Sequence, residues 1–167
     1  MRLIVDGPAN SLRWNSAVQR LSLTFALAVL LSGCAVSWIT SYNQQSFDRV
    51  TDISKSALAV FQSVLSTPVA DRKALVNGTL KSKYGDVATS MRVHLLSEQS
   101  REKNKDSIEI AQKLLASWEE VIQGHGSGPT DRLSDTALKI ERSIVERELA
   151  SAFKAEEAKK LGGSSSN

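Results

Sequence analysis

The 167-residue sequence carries 21 basic and 18 acidic side chains, which give it a formal net charge of +3. Three of the basic residues and one acidic residue lie before position 34, so the rest of the chain is close to neutral. It also lacks a basic stripe interleaved with aromatic residues, the electrostatic footprint of a nucleic-acid binder, and its single cysteine excludes an intramolecular disulfide. The composition therefore predicts one domain, no nucleic-acid partner, and stability that comes from packing.

The first element is an apolar run at residues 21–31, LSLTFALAVLL, which contains no charged side chain. Arginines precede it at positions 2, 13 and 20. A basic segment followed by an apolar run of this length is typical of a secretory signal, and the run is too short to span a membrane comfortably. We therefore expect residues 1–33 to be a cleaved signal peptide and the rest of the chain to be exported.

The apolar run ends in Leu31, Ser32, Gly33 and Cys34, which resemble the lipobox of bacterial lipoproteins. In that family the cysteine thiol receives a diacylglyceryl group and the signal is cleaved just before the cysteine. The resemblance implies lipidation at Cys34, cleavage between Gly33 and Cys34, and attachment to the membrane through the lipid on the periplasmic side. Ala35, in place of an aspartate, implies the outer membrane. The alternative is an uncleaved membrane helix over residues 21–40.

Residues 34–43 are predicted to be the lipidated cysteine and a short tether, residues 44–161 a helical domain, and residues 162–167 a disordered tail. Trp38 and Tyr42 in the tether suit a membrane interface, where amphipathic rings are enriched. The alternative is that they pack on the end of the domain. Either way, a short tether predicts that the domain lies close to the bilayer.

The first part of the domain predicts two amphipathic helices joined by a short one. The first helix, capped by Ser46 and stopped by Pro68, has an apolar face formed by Phe47, Val50, Ile53, Ala57, Leu58, Phe61, Val64 and Leu65. A short helix at residues 70–76 ends at the Asn77-Gly78 turn. The next helix has an apolar face formed by Leu80, Tyr84, Val87, Met91 and Leu95.

The polar run at residues 97–107 predicts a turn, although it could also be the solvated middle of one long helix. Beyond it, Ile108, Ala111, Leu115, Trp118 and Ile122 form the seam of a third long helix, which the glycine-rich segment 124–129 ends. The last helix, at residues 131–161, stops at Gly162-Gly163. Its predicted core face is Leu133, Ala137, Ile140, Ile144, Leu149, Ala152 and Phe153. Its predicted outer pairs are Asp135 with Lys139, Arg142 with Glu146, and Glu156 with Lys160.

These elements predict an all-α fold, an antiparallel up-and-down bundle of about four helices. The alternative is an elongated helical hairpin that completes its core by dimerising. The lipobox and the helix pattern together resemble small helical envelope lipoproteins of unassigned function from Gram-negative bacteria. That resemblance supplies no site residues beyond the lipobox.

Few residues indicate chemistry. We interpret His94 as a hydrogen-bonded structural histidine, His125 as part of a mobile loop, and Tyr84 and Trp118 as core. Neither a nucleophile motif nor a metal-ligand motif is present, so no catalytic, cofactor or metal site is predicted. The function predicted is a lipid-anchored, non-catalytic interaction or structural module of the cell envelope with a protein partner. The alternative is a periplasmic small-ligand binder or enzyme with a pocket between helices.

Overall fold

A computed structural model of the protein describes residues 41–164, with side chains up to Gly162. The predicted signal peptide, the lipobox and residues 34–40 of the predicted tether lie outside the described residues, as do residues 165–167. Over the described range the chain is all-α, as predicted. The helices are α1 (Gln44–Leu65), α2 (Arg72–Asn77), α3 (Lys81–Gln99), α4 (Lys105–Gly126) and α5 (Asp135–Ser164), with 3-10 turns at Val69–Asp71 and Thr130–Leu133.

The four long helices pack side by side around one apolar core. Both α1 and α4 pack against α3 and α5. The start of α1, the end of α3, the start of α4 and the end of α5 meet at one end, because Glu98 contacts Ser46, Asn104 and Lys159 there. Successive long helices therefore run in opposite directions, as predicted. The short α2 occupies the position of the helix predicted at residues 70–76.

The core faces of the long helices follow a heptad pattern, in which buried positions alternate three and four residues apart. Along α4 and the residue that precedes it, these positions are Asn104, Ser107, Ala111, Leu114, Trp118, Val121 and His125. Three residues predicted for this seam, Ile108, Leu115 and Ile122, are only half-buried. Apolar side chains fill the middle of the bundle, where a fully buried one contributes about 1.5–3 kcal/mol. Polar side chains replace them toward both ends.

The predicted core face of α5 is only partly correct. Ile140 is 56% exposed, whereas Leu138 and Val145 are fully buried. The buried positions also include Glu141, Glu156 and Lys159, so polar residues interrupt the apolar period of this helix. A prediction from the spacing of apolar residues alone selects Ile140, although this residue lies outside the buried face of the helix. Leu133, Leu149 and Ala152 are buried as predicted.

The outer pairs predicted on α5 are only partly correct. Arg142 and Glu146 form the predicted pair, with Nε and Oε1 2.8 Å apart. Asp135, however, pairs with Arg72 across the bundle at 2.7 Å. The third predicted pair is also wrong, because Glu156 is buried and bonds to Lys159.

Two predicted ends of helices are also wrong. Asn43, rather than Ser46, caps α1, and its side-chain oxygen accepts a hydrogen bond from the Gln45 amide at 2.9 Å. The helix α5 continues through Gly162 to Ser164, so the glycine pair does not end it.

The helix α4 also extends further than predicted. It reaches Gly126, and the side chain of His125 is fully buried, so the prediction of a mobile loop for His125 is wrong. Position 125 continues the heptad spacing from Val121, and burial of the histidine keeps the last turn of the helix in place. The turn predicted within residues 97–107 is confirmed, because α3 ends at Gln99 and α4 begins at Lys105.

Substitution with aspartate on α5 should distinguish the true seam from its outer face. Val145→Asp would bury an unpaired charge and should lower the free energy of unfolding by at least about 3 kcal/mol. Ile140→Asp on the outer face should change it by less than about 0.5 kcal/mol. Urea denaturation followed by circular dichroism measures both changes, and similar losses for the two variants would contradict this register.

Candidate functional site

Polar residues at the heptad positions gather at the two ends of the bundle. At one end, six side chains form what we term the Glu98 cluster: Ser46, Glu98, Arg101, Asn104, Glu156 and Lys159. At the other end, four side chains form what we term the His125 chain: Tyr84, His125, Glu141 and Arg132. The apolar core separates the two.

Glu98 lies at the centre of its cluster, and its side chain is fully buried. Ser46 of α1 donates a hydrogen bond to its Oε1. Asn104, just before α4, donates from Nδ2 to Oε2 at 2.6 Å, and Lys159 of α5 donates to the same oxygen at 3.3 Å. Arg101, in the turn after α3, contacts both oxygens at 2.9 and 3.1 Å. One carboxylate therefore links all four long helices.

The cluster is close to electrically neutral. Glu156 supplies a second buried carboxylate, which accepts a hydrogen bond from Lys159 and lies 3.5 Å from Arg101. Two carboxylates thus face two cations, which limits the electrostatic cost of burying them. Arg101 also donates to the backbone carbonyl of Ser41, so it ties the segment that enters α1 to the cluster.

The surroundings of Glu98 set its protonation state. Burial by itself raises the pKa of a carboxyl group, but hydrogen bonds from Ser46 and Asn104 and the charges of Lys159 and Arg101 outweigh it. Together they lower the pKa of Glu98 to about 2, so this carboxylate is ionised at neutral pH.

His94 is buried beside the cluster, which agrees with a structural role, but the hydrogen bond predicted for it is not found at Nδ1. Its Nδ1 lies 3.9 Å from Glu98 Oε1 and has no hydrogen-bond partner among the described residues. Burial lowers the pKa of His94 even though the charge of Glu98 opposes that change, so the ring is neutral at pH 7. Because Ser46 donates to Glu98, the serine, histidine and glutamate do not have the order of hydrogen bonds that activates a serine nucleophile.

The His125 chain is a line of short polar contacts that runs from buried residues to the exposed Arg132. Tyr84 Oη lies 2.6 Å from His125 Nδ1, and His125 Nε2 lies 2.6 Å from Glu141 Oε2. Arg132 pairs with the other oxygen of Glu141 at 2.8 Å. Burial raises the pKa of Tyr84, and the charge of Glu141 adds to this effect. The tyrosine therefore stays protonated, and both ring nitrogens of His125 have a polar partner on a neighbouring helix.

Aromatic rings surround this chain. The Tyr84 ring stacks on Trp118 with centroids 5.5 Å apart, and the edge of Phe61 meets both Trp118 and His125. Trp118 Nε1 donates to the Tyr84 carbonyl at 3.1 Å. Tyr84 and Trp118 therefore belong to the core, as predicted, and His125 joins them.

Two basic residues of α2 stabilise the end of the bundle that contains the His125 chain. Arg72, almost fully buried, donates to the carbonyls of Leu133 and Thr67 at 2.7 and 2.8 Å. Lys73 Nζ donates to the carbonyls of His125 and Gly128 at 3.1 and 2.9 Å. A cation at the carbonyl end of α4 also complements the helix dipole. The short α2 thus fixes the connections that follow α4.

A groove of about 600 Å³ opens beside the Glu98 cluster, between the start of α4 and the last turns of α5. Among the residues that line it are four lysines, Lys103, Lys105, Lys154 and Lys159. Over residues 41–164 there is no group of three or more histidine, aspartate or glutamate side chains placed to hold a metal ion. None of the helices in this part of the chain is both long enough and apolar enough to cross a membrane.

The Glu98 cluster was not predicted from the sequence, although a signal for it exists. Positions 94 and 98 extend the spacing of Tyr84, Val87 and Met91, in the same way that 125 extends that of Val121. Glu98 falls in the polar run predicted as a turn, since polar residues are usually exposed, and His94 is predicted to be structural without a link to Glu98. The predicted lipobox residues Leu31, Ser32, Gly33 and Cys34 lie outside the described part of the chain.

No protein-family model matches the chain, and no curated protein or solved structure shows significant similarity to it.

The titration of Glu98 and His94 predicts that stability falls in acid. Unfolded His94, with an ordinary pKa of 6.5, takes up a proton that the folded state resists, so stability should begin to fall as the pH drops below about 6.5. Glu98 adds a second fall that begins near pH 4.5 and is complete near pH 2. The ionised Glu98 side chain should add about 3 kcal/mol to the free energy of unfolding at neutral pH.

Urea denaturation at several pH values between 7 and 2.5 measures both effects. Glu98→Gln should be less stable than the wild type at pH 7 and should approach it at the lowest pH. Glu157→Gln, an exposed neighbour of Glu156, serves as the control and should follow the wild-type curve. Parallel curves for wild type and Glu98→Gln would show that Glu98 is not the group responsible.

Proposed function

We propose that this protein is a lipid-anchored, non-catalytic structural or interaction module of the bacterial cell envelope, attached through Cys34. Its partners in this proposal are the membrane, through the covalent lipid, and an envelope protein. The proposed location is the periplasmic side of the outer membrane, since Ala35 follows the cysteine.

The observation that carries the proposal is that the buried polar groups form hydrogen bonds with other groups of the same protein. Both carboxylate oxygens of Glu98 are bonded within the protein, and both ring nitrogens of His125 have partners. A catalytic acid or base must reach a substrate, but these side chains are enclosed and contact residues on neighbouring helices. Their arrangement supports a role in holding the helices in one fixed packing, as a scaffold requires.

The position of the amino-terminal segment also supports anchoring. Arg101 bonds to the carbonyl of Ser41, so the chain enters the domain at the Glu98 end of the bundle. Six residues lie between Cys34 and Ser41, and the seven extended steps from one Cα to the other span at most about 25 Å. A lipid on Cys34 would therefore keep this end of the domain close to the bilayer.

The outer face of α5 is our candidate for contact with a partner. Ile140 is an exposed apolar residue there, next to the exposed Lys139. Arg142 follows on the same helix and pairs with Glu146. An anchor in the same membrane raises the effective concentration of partner and domain, so a weak contact on one helix face can suffice.

Lipid attachment predicts a specific loss of label. Cells that express the protein and grow with radioactive palmitate should label the wild type, whereas Cys34→Ser should carry no label because the acceptor thiol is gone. Ser37→Ala, a nearby change that leaves the thiol intact, serves as the control and should label normally. Equal labelling of wild type and Cys34→Ser would refute attachment at this cysteine.

The interaction itself can be tested by crosslinking in intact cells, followed by mass spectrometry. A partner protein should be recovered with the wild type, and the double variant Lys139→Glu, Arg142→Glu should reduce its recovery at least severalfold because it reverses two charges on this face. Lys81→Glu, at the start of α3, is the control and should leave recovery unchanged. Equal recovery with the double variant would exclude this face.

One outcome would instead favour the alternative function of a small-ligand binder. A small molecule that co-purifies with the domain and is released by His94→Ala or Tyr84→Ala would indicate a pocket between the helices. The crosslinking sample can be used to look for such a molecule.

A further inference from the structure

The turn between α2 and α3 contains a chemically reactive pair of residues that the scaffold role does not use. Asn77 is the last residue of α2 and Gly78 follows it, the one asparagine–glycine pair in the sequence. Both residues are exposed, as is Thr79 after them. In such a pair the glycine amide nitrogen can attack the side-chain carbonyl of the asparagine, because glycine has no side chain to hinder the approach. This turn therefore combines a reactive sequence with access to water.

Packing at the end of α2 favours glycine at position 78. A Cβ atom on Gly78 would lie 3.0 Å from the carbonyl oxygen of Ala74, which is a tight contact. The Gly78 amide donates a hydrogen bond to that carbonyl at 2.9 Å, and the Leu80 amide donates to the Leu75 carbonyl at 3.0 Å. These bonds end the short helix. The same glycine leaves Asn77 with the least hindered neighbour that a residue can have.

The side chain of Asn77 is free to turn toward the next amide. Its carboxamide forms no hydrogen bond with any described residue. The other two asparagines of residues 41–164 are held in place. Asn43 accepts a hydrogen bond from the Gln45 amide at 2.9 Å, and Asn104 donates to the Glu98 carboxylate at 2.6 Å. These two residues therefore provide internal references for the reactivity of Asn77.

The attack needs one backbone hydrogen bond to open. The Gly78 amide must leave the Ala74 carbonyl before its nitrogen reaches the side chain of Asn77, and this change is confined to the last turn of a six-residue helix. A helix this short has little stability of its own, and the contacts of Arg72 and Lys73 hold its other end. Helix ends open at a much lower free energy than the whole domain unfolds. Attack is therefore compatible with a folded bundle.

We propose that Asn77 is a site of spontaneous deamidation in the folded protein. The nitrogen of Gly78 attacks Cγ of Asn77, the bond from Cγ to the carboxamide nitrogen breaks, and the proton from the Gly78 nitrogen leaves with that nitrogen as ammonia. A five-membered succinimide ring remains. Water then opens the ring: attack at the side-chain carbonyl gives aspartate, and attack at the main-chain carbonyl gives isoaspartate. The net change is the loss of ammonia and the gain of water, and no atom is oxidised or reduced.

Either product alters the end of the bundle that contains the His125 chain. Aspartate places a negative charge at the C-terminus of α2, where the helix dipole is also negative. Isoaspartate adds a carbon atom to the main chain before Gly78, inside the segment that the hydrogen bond from Leu80 to Leu75 spans. Leu80 is only 3% exposed and belongs to the core. Isoaspartate should therefore destabilise the fold more than aspartate does.

Ageing of the purified full-length protein in a non-ionic detergent tests the proposal. One portion is kept for days at mildly alkaline pH, which favours attack by a deprotonated amide, and another at mildly acidic pH. Peptide mapping by mass spectrometry locates the mass gain that accompanies replacement of ammonia by water, and a fresh sample digested in parallel corrects for deamidation during handling. We expect conversion at Asn77 to be severalfold faster than at Asn43 or Asn104, and to slow in the acidic portion.

Two variants at this exposed position separate the chemistry from its effect on the fold. Asn77→Gln keeps an amide but must close a larger ring, so it should show no mass gain at position 77 and no loss of stability on ageing. Asn77→Asp carries the new charge without the longer main chain. The urea midpoint of aged wild type, in which isoaspartate accumulates, should fall below that of fresh Asn77→Asp, and fresh wild type should have the highest midpoint of the three.

The rate in dilute urea shows whether the folded protein reacts. Below the unfolding transition, the conversion rate at Asn77 should change little if only the last turn of α2 opens, because that opening exposes little surface. A rate that rises in step with the unfolded fraction would overturn reaction in the folded state. Conversion at Asn77 no faster than at Asn43 would overturn the site itself. Neither result depends on lipid attachment at Cys34.

Discussion

The fold depends on one buried carboxylate. Glu98 lies where four helices meet, and an ionised carboxylate in that position would cost several kcal/mol if its partners were missing. Ser46, Asn104 and Lys159 supply those partners from three other parts of the chain. The helices can therefore satisfy this charge in only one relative register. Apolar packing favours compact helices in general, whereas Glu98 selects a single arrangement of them.

The His125 chain fixes the relative positions of helices at the opposite end of the bundle. Tyr84, His125 and Glu141 come from α3, α4 and α5, so their hydrogen bonds fix the three helices against one another. The middle of the bundle has mainly apolar residues, which could slide by a heptad at little cost. Polar contacts at both ends would be broken by such a slip. Buried polar groups at heptad positions are known to specify register in this way.

The sequence predicted the number, order and type of the long helices because their apolar residues recur with helical spacing. It also predicted the turns at Asn77-Gly78 and within residues 97–107. It failed at two core positions that polar residues occupy: Ile140 was preferred over Glu141, and His125 was assigned to a loop because glycines flank it. The partners that make such burial favourable are distant in sequence, as Ser46 is from Glu98. Local patterns therefore cannot reveal them.

Arg101 has two roles that are usually separate. The same guanidinium group contacts the Glu98 carboxylate and the carbonyl of Ser41, in the segment before α1. A pull on that segment would therefore be shared between the backbone that continues into α1 and the hydrogen bond from Arg101. Breaking that hydrogen bond would remove one link between the amino-terminal segment and the cluster that joins the four helices.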